Sequence, residues 1–110
     1  MQDYTPGAIF LITDKHTNAY VGDVHPLAGL LVKVISDPGA DLAGHWIECE
    51  VINSAADIMN AYNAYLRAHR PGMYASLHYD SEYAALELQT LMVPADVLDD
   101  TNTVTGGANA

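Results

Sequence analysis

The chain has 110 residues, 50% of them hydrophobic and 16% charged, which fits one domain and excludes a disordered chain. Four Lys and Arg stand against fourteen Asp and Glu, a formal charge of -10. That balance excludes direct binding to nucleic-acid phosphates and to anionic membrane surfaces, both of which need basic groups.

No apolar run approaches the roughly 20 residues of a membrane span, so no membrane partner is expected. A domain of this size buries more than about 60% of its unfolded surface, enough for one core without a metal or disulfide. Met1 to Pro6 reads as an irregular arm; it has an acid and no basic region, so a signal peptide is not expected. Pro6-Gly7 marks a turn. Ala8 to Thr13 is a short apolar strand whose continuous hydrophobicity predicts burial on both faces. Asp14 to Asn18 is a polar turn, and Ala19 to Val24 suits a short strand or an ordered loop. His25-Pro26 then favours extended backbone and denies a ladder one donor.

Gly29 to Ile52 holds two apolar runs, Gly29 to Ser36 and Leu42 to Ile52, around a Pro38-Gly39 turn, the pattern of two antiparallel strands. Side chains alternate in a strand. His45, Ile47, Cys49 and Val51 share one face; Trp46, Glu48, Glu50 and Ile52 share the other. The glutamates send their face to water, so Ile47, Cys49 and Val51 point inward.

Ser54 is a good N-cap, with Asp57 three residues on as a short-armed capping box. The helix it opens runs from about Ala55 to His69. Pro71-Gly72 stops it, and Arg67, His69 and Arg70 suit its negative end. Ile58, Met59, Tyr62, Leu66 and His69 form one face; Ala61, Ala64 and Ala68 form a second, small-residue face. Met73 to Tyr79 alternates like a strand, and Asp80 to Glu82 is a turn. Tyr83 to Val93 is read as a strand, with a helix as the alternative. Pro94 suits the start of a short helical turn to Leu98.

These elements make an α+β or mainly β fold: a small antiparallel sheet with one packed helix at about 55–69. Their order also resembles a small, partly open barrel of the Src-homology-3 type with a helix inserted, a likeness of pattern that carries no functional residues. The globular domain is expected over 1–98. Asp99 to Ala110 has little that packs and is expected to be a flexible C-terminal arm.

Cys49 is the single cysteine, so no intrachain disulfide is possible, and a reducing, cytosolic site of synthesis is expected. Mid-strand between two glutamates, it suits a buried structural thiol better than a nucleophile. The five histidines form no metal-binding motif, and no phosphate-binding glycine loop or nucleophile elbow is present. No catalytic residue, metal or cofactor is therefore expected. Tyrosines 62, 65, 74, 79 and 83 cluster in and after the helix. Tyrosine favours interfaces because an apolar ring carries a polar tip. Trp46, Tyr62, Tyr65, Tyr74 and Tyr83, with the adjacent acids Asp99 and Asp100, are the candidate interaction residues.

Three functions fit. The first is a non-enzymatic protein–protein module, a small structural or accessory subunit of a homo- or hetero-oligomeric assembly such as a virus particle. The second is an acidic inhibitor, or nucleic-acid mimic, that occupies a basic surface of another protein. The third is a small hydrolase, which requires a polar pocket with converging histidines.

Overall fold

A computed structural model describes residues 3–17 and 23–100. The fold is α+β. Five antiparallel strands form one open sheet, not a closed barrel, in the order β4-β3-β2-β1-β5. The strands are β1 (Ile9–Ile12), β2 (Leu31–Ser36), β3 (Trp46–Val51), β4 (Thr90–Pro94) and β5 (Leu98–Asp100). Helix α1 (Ala55–His69) and the one-turn helices α2 (Tyr74–Leu77) and α3 (Glu82–Ala85) lie between β3 and β4.

The inner face of the sheet is the core. Phe10 and Ile12 of β1, Val32 and Val34 of β2, Ile47, Cys49 and Val51 of β3, and Val93 of β4 are all buried. The inward set of β3 is therefore the one its glutamates require. Helix α1 joins this core through Ile58, with Met59, Ala61 and Tyr62 packed against it; Leu66 of the same helix is also buried. Its start is local chemistry: the Ser54 hydroxyl accepts from the Asp57 amide at 3.2 Å. Asn63 is buried on the same helix. Its side chain donates to the Tyr79 carbonyl at 2.7 Å and accepts from the Tyr79 amide at 2.8 Å, which ties the segment after α2 to α1.

Several expected elements are corrected. β1 is buried on one face only, with Ile9 39% exposed and Leu11 half-buried, because no described element covers the outer face. The second central strand begins at Trp46, not Leu42. Asp37 and Gly39 make a tight turn, and Asp41 and Gly44 exchange two backbone hydrogen bonds of 3.0 Å, which leaves Leu42 fully exposed at the tip. Gly39 and Gly44 have φ of 89° and 114°, where a side chain is disfavoured.

Residues 73–79 do not form a strand: 73–77 are helical, and 78–79 are irregular. Pro71 opens a 3-10 turn, and Tyr74 stacks on His78 across the next helical turn, with ring centroids 4.7 Å apart. Arg67 of α1 donates to the Tyr74 hydroxyl at 3.0 Å. The alternating Met73, Ala75 and Leu77 are all exposed. The 83–93 segment divides: 82–88 is helical and 90–94 is strand. Pro94 ends β4 and caps the 3-10 turn over 95–97, which places it at a sheet edge where its missing donor costs no ladder bond.

The ordered fold continues past the expected boundary at 98. Leu98 is buried, and Asp99 and Asp100 belong to β5, paired with Leu11 and Phe10 of β1. The remainder of the expected arm, 101–110, lies outside the described residues, as does most of the 19–24 segment.

Candidate functional site

The outer face of the sheet carries exposed aliphatic side chains, among them Ile9 and Met92. The register brings Ile9, Lys33, Glu50 and Thr90 into one row across four strands. Ser36, Glu48 and Met92 make the next row, where the Ser36 hydroxyl donates to Glu48 at 2.8 Å. Leu11 and Leu31 pair on the far side, beside Asp99. The face is thus mixed: half-exposed aliphatic side chains among carboxylates, with Lys33 as the basic residue in its rows. Lys33 lies 3.9 Å from Glu50, and both are well exposed, so that pair contributes little.

At one end of this face the sheet opens into a cleft of about 340 Å3. Trp46 and Pro94, paired across β3 and β4, form one part of its lining. Ala43, Gly44 and His45 of the hairpin loop form another, and Thr17 and Asp96 complete it. Each polar group is held. The indole Nε1 donates to the Ala43 carbonyl at 3.1 Å. The buried Thr17 hydroxyl lies 2.9 and 3.1 Å from the two carboxylate oxygens of Asp96. His45 Nε2 is 2.8 Å from Asp37, and its ring meets Tyr4 edge-on at 5.4 Å. The hydrogen bond with His45 and a second from the Gly39 amide hold the Asp37 carboxyl below its ordinary range. Acids therefore gather at this end: Asp37, Asp41, Glu48 and Asp96.

A second polar group fastens residue 23 to the end of α1. Asp23 accepts from Arg70 at 2.8 Å and Tyr65 at 3.3 Å, and its other oxygen is 3.1 Å from His69 Nδ1. Partial burial raises the Asp23 pKa, but the Val24 amide, Arg70, His69 and Tyr65 outweigh it, and the net shift is downward. Beside this clasp the alanine face of α1 and residues 24–28 enclose a groove of about 280 Å3. His25 lines it. Its Nδ1 accepts from the Leu27 amide at 3.0 Å, and burial lowers its pKa to about 4. Cys49 is buried, and burial, with the Glu48 charge, raises its pKa to about 11, so the thiol stays protonated at neutral pH.

The structure divides the expected interaction residues. Trp46 lies on the open face and in the cleft. Tyr62 faces the core on the opposite side of the sheet, its ring 5.1 Å from Tyr79. Tyr65 is tied to Asp23, and Tyr74 lies under the Arg67 guanidinium at 4.9 Å. Tyr83 is 86% exposed on α3. Asp99 sits on the edge strand that borders the open face, and Asp100 follows it in that strand. Sequence reasoning did not single out Asp96, Pro94, Asp37 or Met92. The signal for Met92 was its place in an alternating strand; Asp96 had none, because only the β3–β4 pairing brings its turn to Trp46.

Among the described residues, no three His, Cys, Asp or Glu side chains gather at metal-holding distances, and no helix is long and apolar enough to cross a membrane. Comparison with protein-family models, curated proteins and solved structures finds no match.

Proposed function

We propose that this chain is a non-enzymatic protein-binding module, a small accessory or structural subunit that sets the open face of its sheet against a basic surface of another protein. The observation that carries this reading is the outer face itself. It presents Ile9, Leu11, Leu31 and Met92 together with Glu48, Glu50 and Asp99: the β3 glutamates stand between the aliphatic side chains of β1 and β2 and Met92 of β4, and Asp99 lies on the edge strand β5. Non-obligate interfaces mix apolar and polar groups in this way. The formal charge of -10 selects a basic partner and speeds encounter with it. An inhibitor that covers a nucleic-acid-binding surface is one form of the same module. The flanking strands deter mere edge-to-edge pairing: β4 ends in Pro94 and β5 carries two aspartates.

The test changes one acidic and one apolar side chain of the face. Glu48 and Met92 are cross-strand neighbours with outward side chains, so Glu48→Lys with Met92→Ser leaves the core untouched. A partner captured by the immobilised wild-type chain should be lost from this double variant and released from the wild type by salt. Equal retention of that partner by a folded double variant overturns the reading.

A further inference from the structure

We infer that the cleft between Trp46 and Asp96 receives an arginine side chain of the partner protein. The inference rests on the docking reading above and names the residue that anchors it.

The cleft has the two components a guanidinium needs. One is a flat aromatic wall. Trp46 is half-buried, and its indole is fixed in place by the hydrogen bond to the Ala43 carbonyl. Tryptophan is the best aromatic partner for a cation. Pro94 lies across the strand pair from it and continues the wall. The other component is a carboxylate. Asp96 is exposed, and the Thr17 hydroxyl orients it. A hydroxyl has one proton to donate, so the carboxylate keeps lone pairs for a further fork of donors.

Charge selects the same ligand. Among the described residues, no lysine or arginine lines the cleft. His45 does, and it is paired with a second carboxylate, Asp37. An anion would meet Asp96 directly. A neutral apolar side chain would leave that carboxylate without a counterion once the docked partner excludes water. Between the two basic side chains, the planar guanidinium matches both an indole face and a pair of carboxylate oxygens; a lysine ammonium matches only the charge. The volume of about 340 Å3 suits one side chain with its solvent, at the small end of ligand-sized clefts.

Trp46 is the sole tryptophan, so its fluorescence and its indole N–H resonance report on this cleft alone. The full chain is titrated with the blocked tripeptide acetyl-Gly-Arg-Gly-amide and with its lysine and citrulline counterparts. Citrulline keeps the shape of arginine and removes the charge. The arginine peptide should give a saturable change. Binding should weaken at least about fivefold, the equivalent of about 1 kcal/mol, for the citrulline peptide and in Asp96→Asn. Asparagine retains an oxygen for Thr17, so the fold is expected to hold; the citrulline comparison decides the matter in the wild-type chain regardless. Lysine binding as tightly as arginine overturns the choice of guanidinium. Equal responses to arginine and citrulline, or no saturable response, overturn the site. If either occurs while Glu48→Lys with Met92→Ser still loses the partner, the docking reading stands and the arginine cleft falls.

Discussion

Replacing His25 by asparagine should remove much of the acid sensitivity of this fold between pH 6.5 and about 4. His25 is buried, and its pKa falls from 6.5 to about 4 because burial disfavours the charged ring. Above pH 6.5 both folded and unfolded chains carry a neutral ring, and its contribution is fully present. Between pH 6.5 and about 4 the unfolded chain takes up a proton that the folded chain refuses, so stability falls as pH falls. At about 1.4 kcal/mol per pH unit, the whole loss is about 3 kcal/mol, a large part of the stability of a small domain. Asparagine is chosen because its side-chain oxygen can accept from the amide two residues on, as His25 Nδ1 accepts from Leu27. It does not titrate. The lost ring volume should cost the variant about 1–3 kcal/mol at pH 7.5. Urea unfolding of both chains at pH 7.5, 6.5, 5.5 and 4.5, followed by circular dichroism, gives the comparison. The wild-type chain should lose about 2.5 kcal/mol relative to the variant between pH 7.5 and 4.5, so a starting gap below that value closes and reverses. The other histidines and the paired Asp23 and Asp37 are common to both chains, so they cancel. Parallel curves would refute the assignment of this loss to His25.

Leu66→Ala should lower stability by about 2–5 kcal/mol, because Leu66 is 2% exposed; Ala64→Ser, on an exposed position of α1, should change it by less than about 0.5 kcal/mol. Urea midpoints read both, and an unchanged midpoint for Leu66→Ala would mean that α1 presents another face. Asn63→Ala should cost about 1–3 kcal/mol through the two Tyr79 backbone groups it leaves unpaired, with hydrogen exchange faster at the Tyr79 amide than at Ile58. Cys49 should react with a thiol reagent at pH 8 only as fast as the fold opens, and its labelling should rise with urea; rapid labelling of the native chain would contradict its burial.

What the sequence discloses here is what short-range chemistry decides. Helix α1 begins and ends where Ser54 and Pro71 require, because a cap and a stop act within one turn. The inward face of β3 follows from a period of two and a pair of glutamates. The 73–88 segment resists the same reasoning. Its one-turn helices are held by Arg67 and Asn63, which reach back from α1 across seven and sixteen residues. β1 misleads in a different way, since an aliphatic open face gives a strand the same continuous pattern as burial on both sides. The cleft is half legible. Trp46 stands out as a lone aromatic on a polar face, but Thr17 and Asp96 meet across 79 residues of chain, and nothing near either one announces the other.

The strand order has a kinetic consequence. β5 closes against β1, so Phe10 waits for Asp100, ninety residues later in the chain. Closing a loop of that length costs about 4 kcal/mol in chain entropy, against about 2 kcal/mol for the β2–β3 hairpin, where Ser36 meets Glu48. The hairpin is therefore the natural place for the sheet to nucleate, with β1 and β4 added to its sides and β5 last. During synthesis the free edge of β1 remains available to other chains until the Asp99-Asp100 segment has left the ribosome. The two aspartates that blunt this edge in the finished sheet are among the last parts of it to arrive, and crowded nascent chains would be exposed to mispairing in that interval.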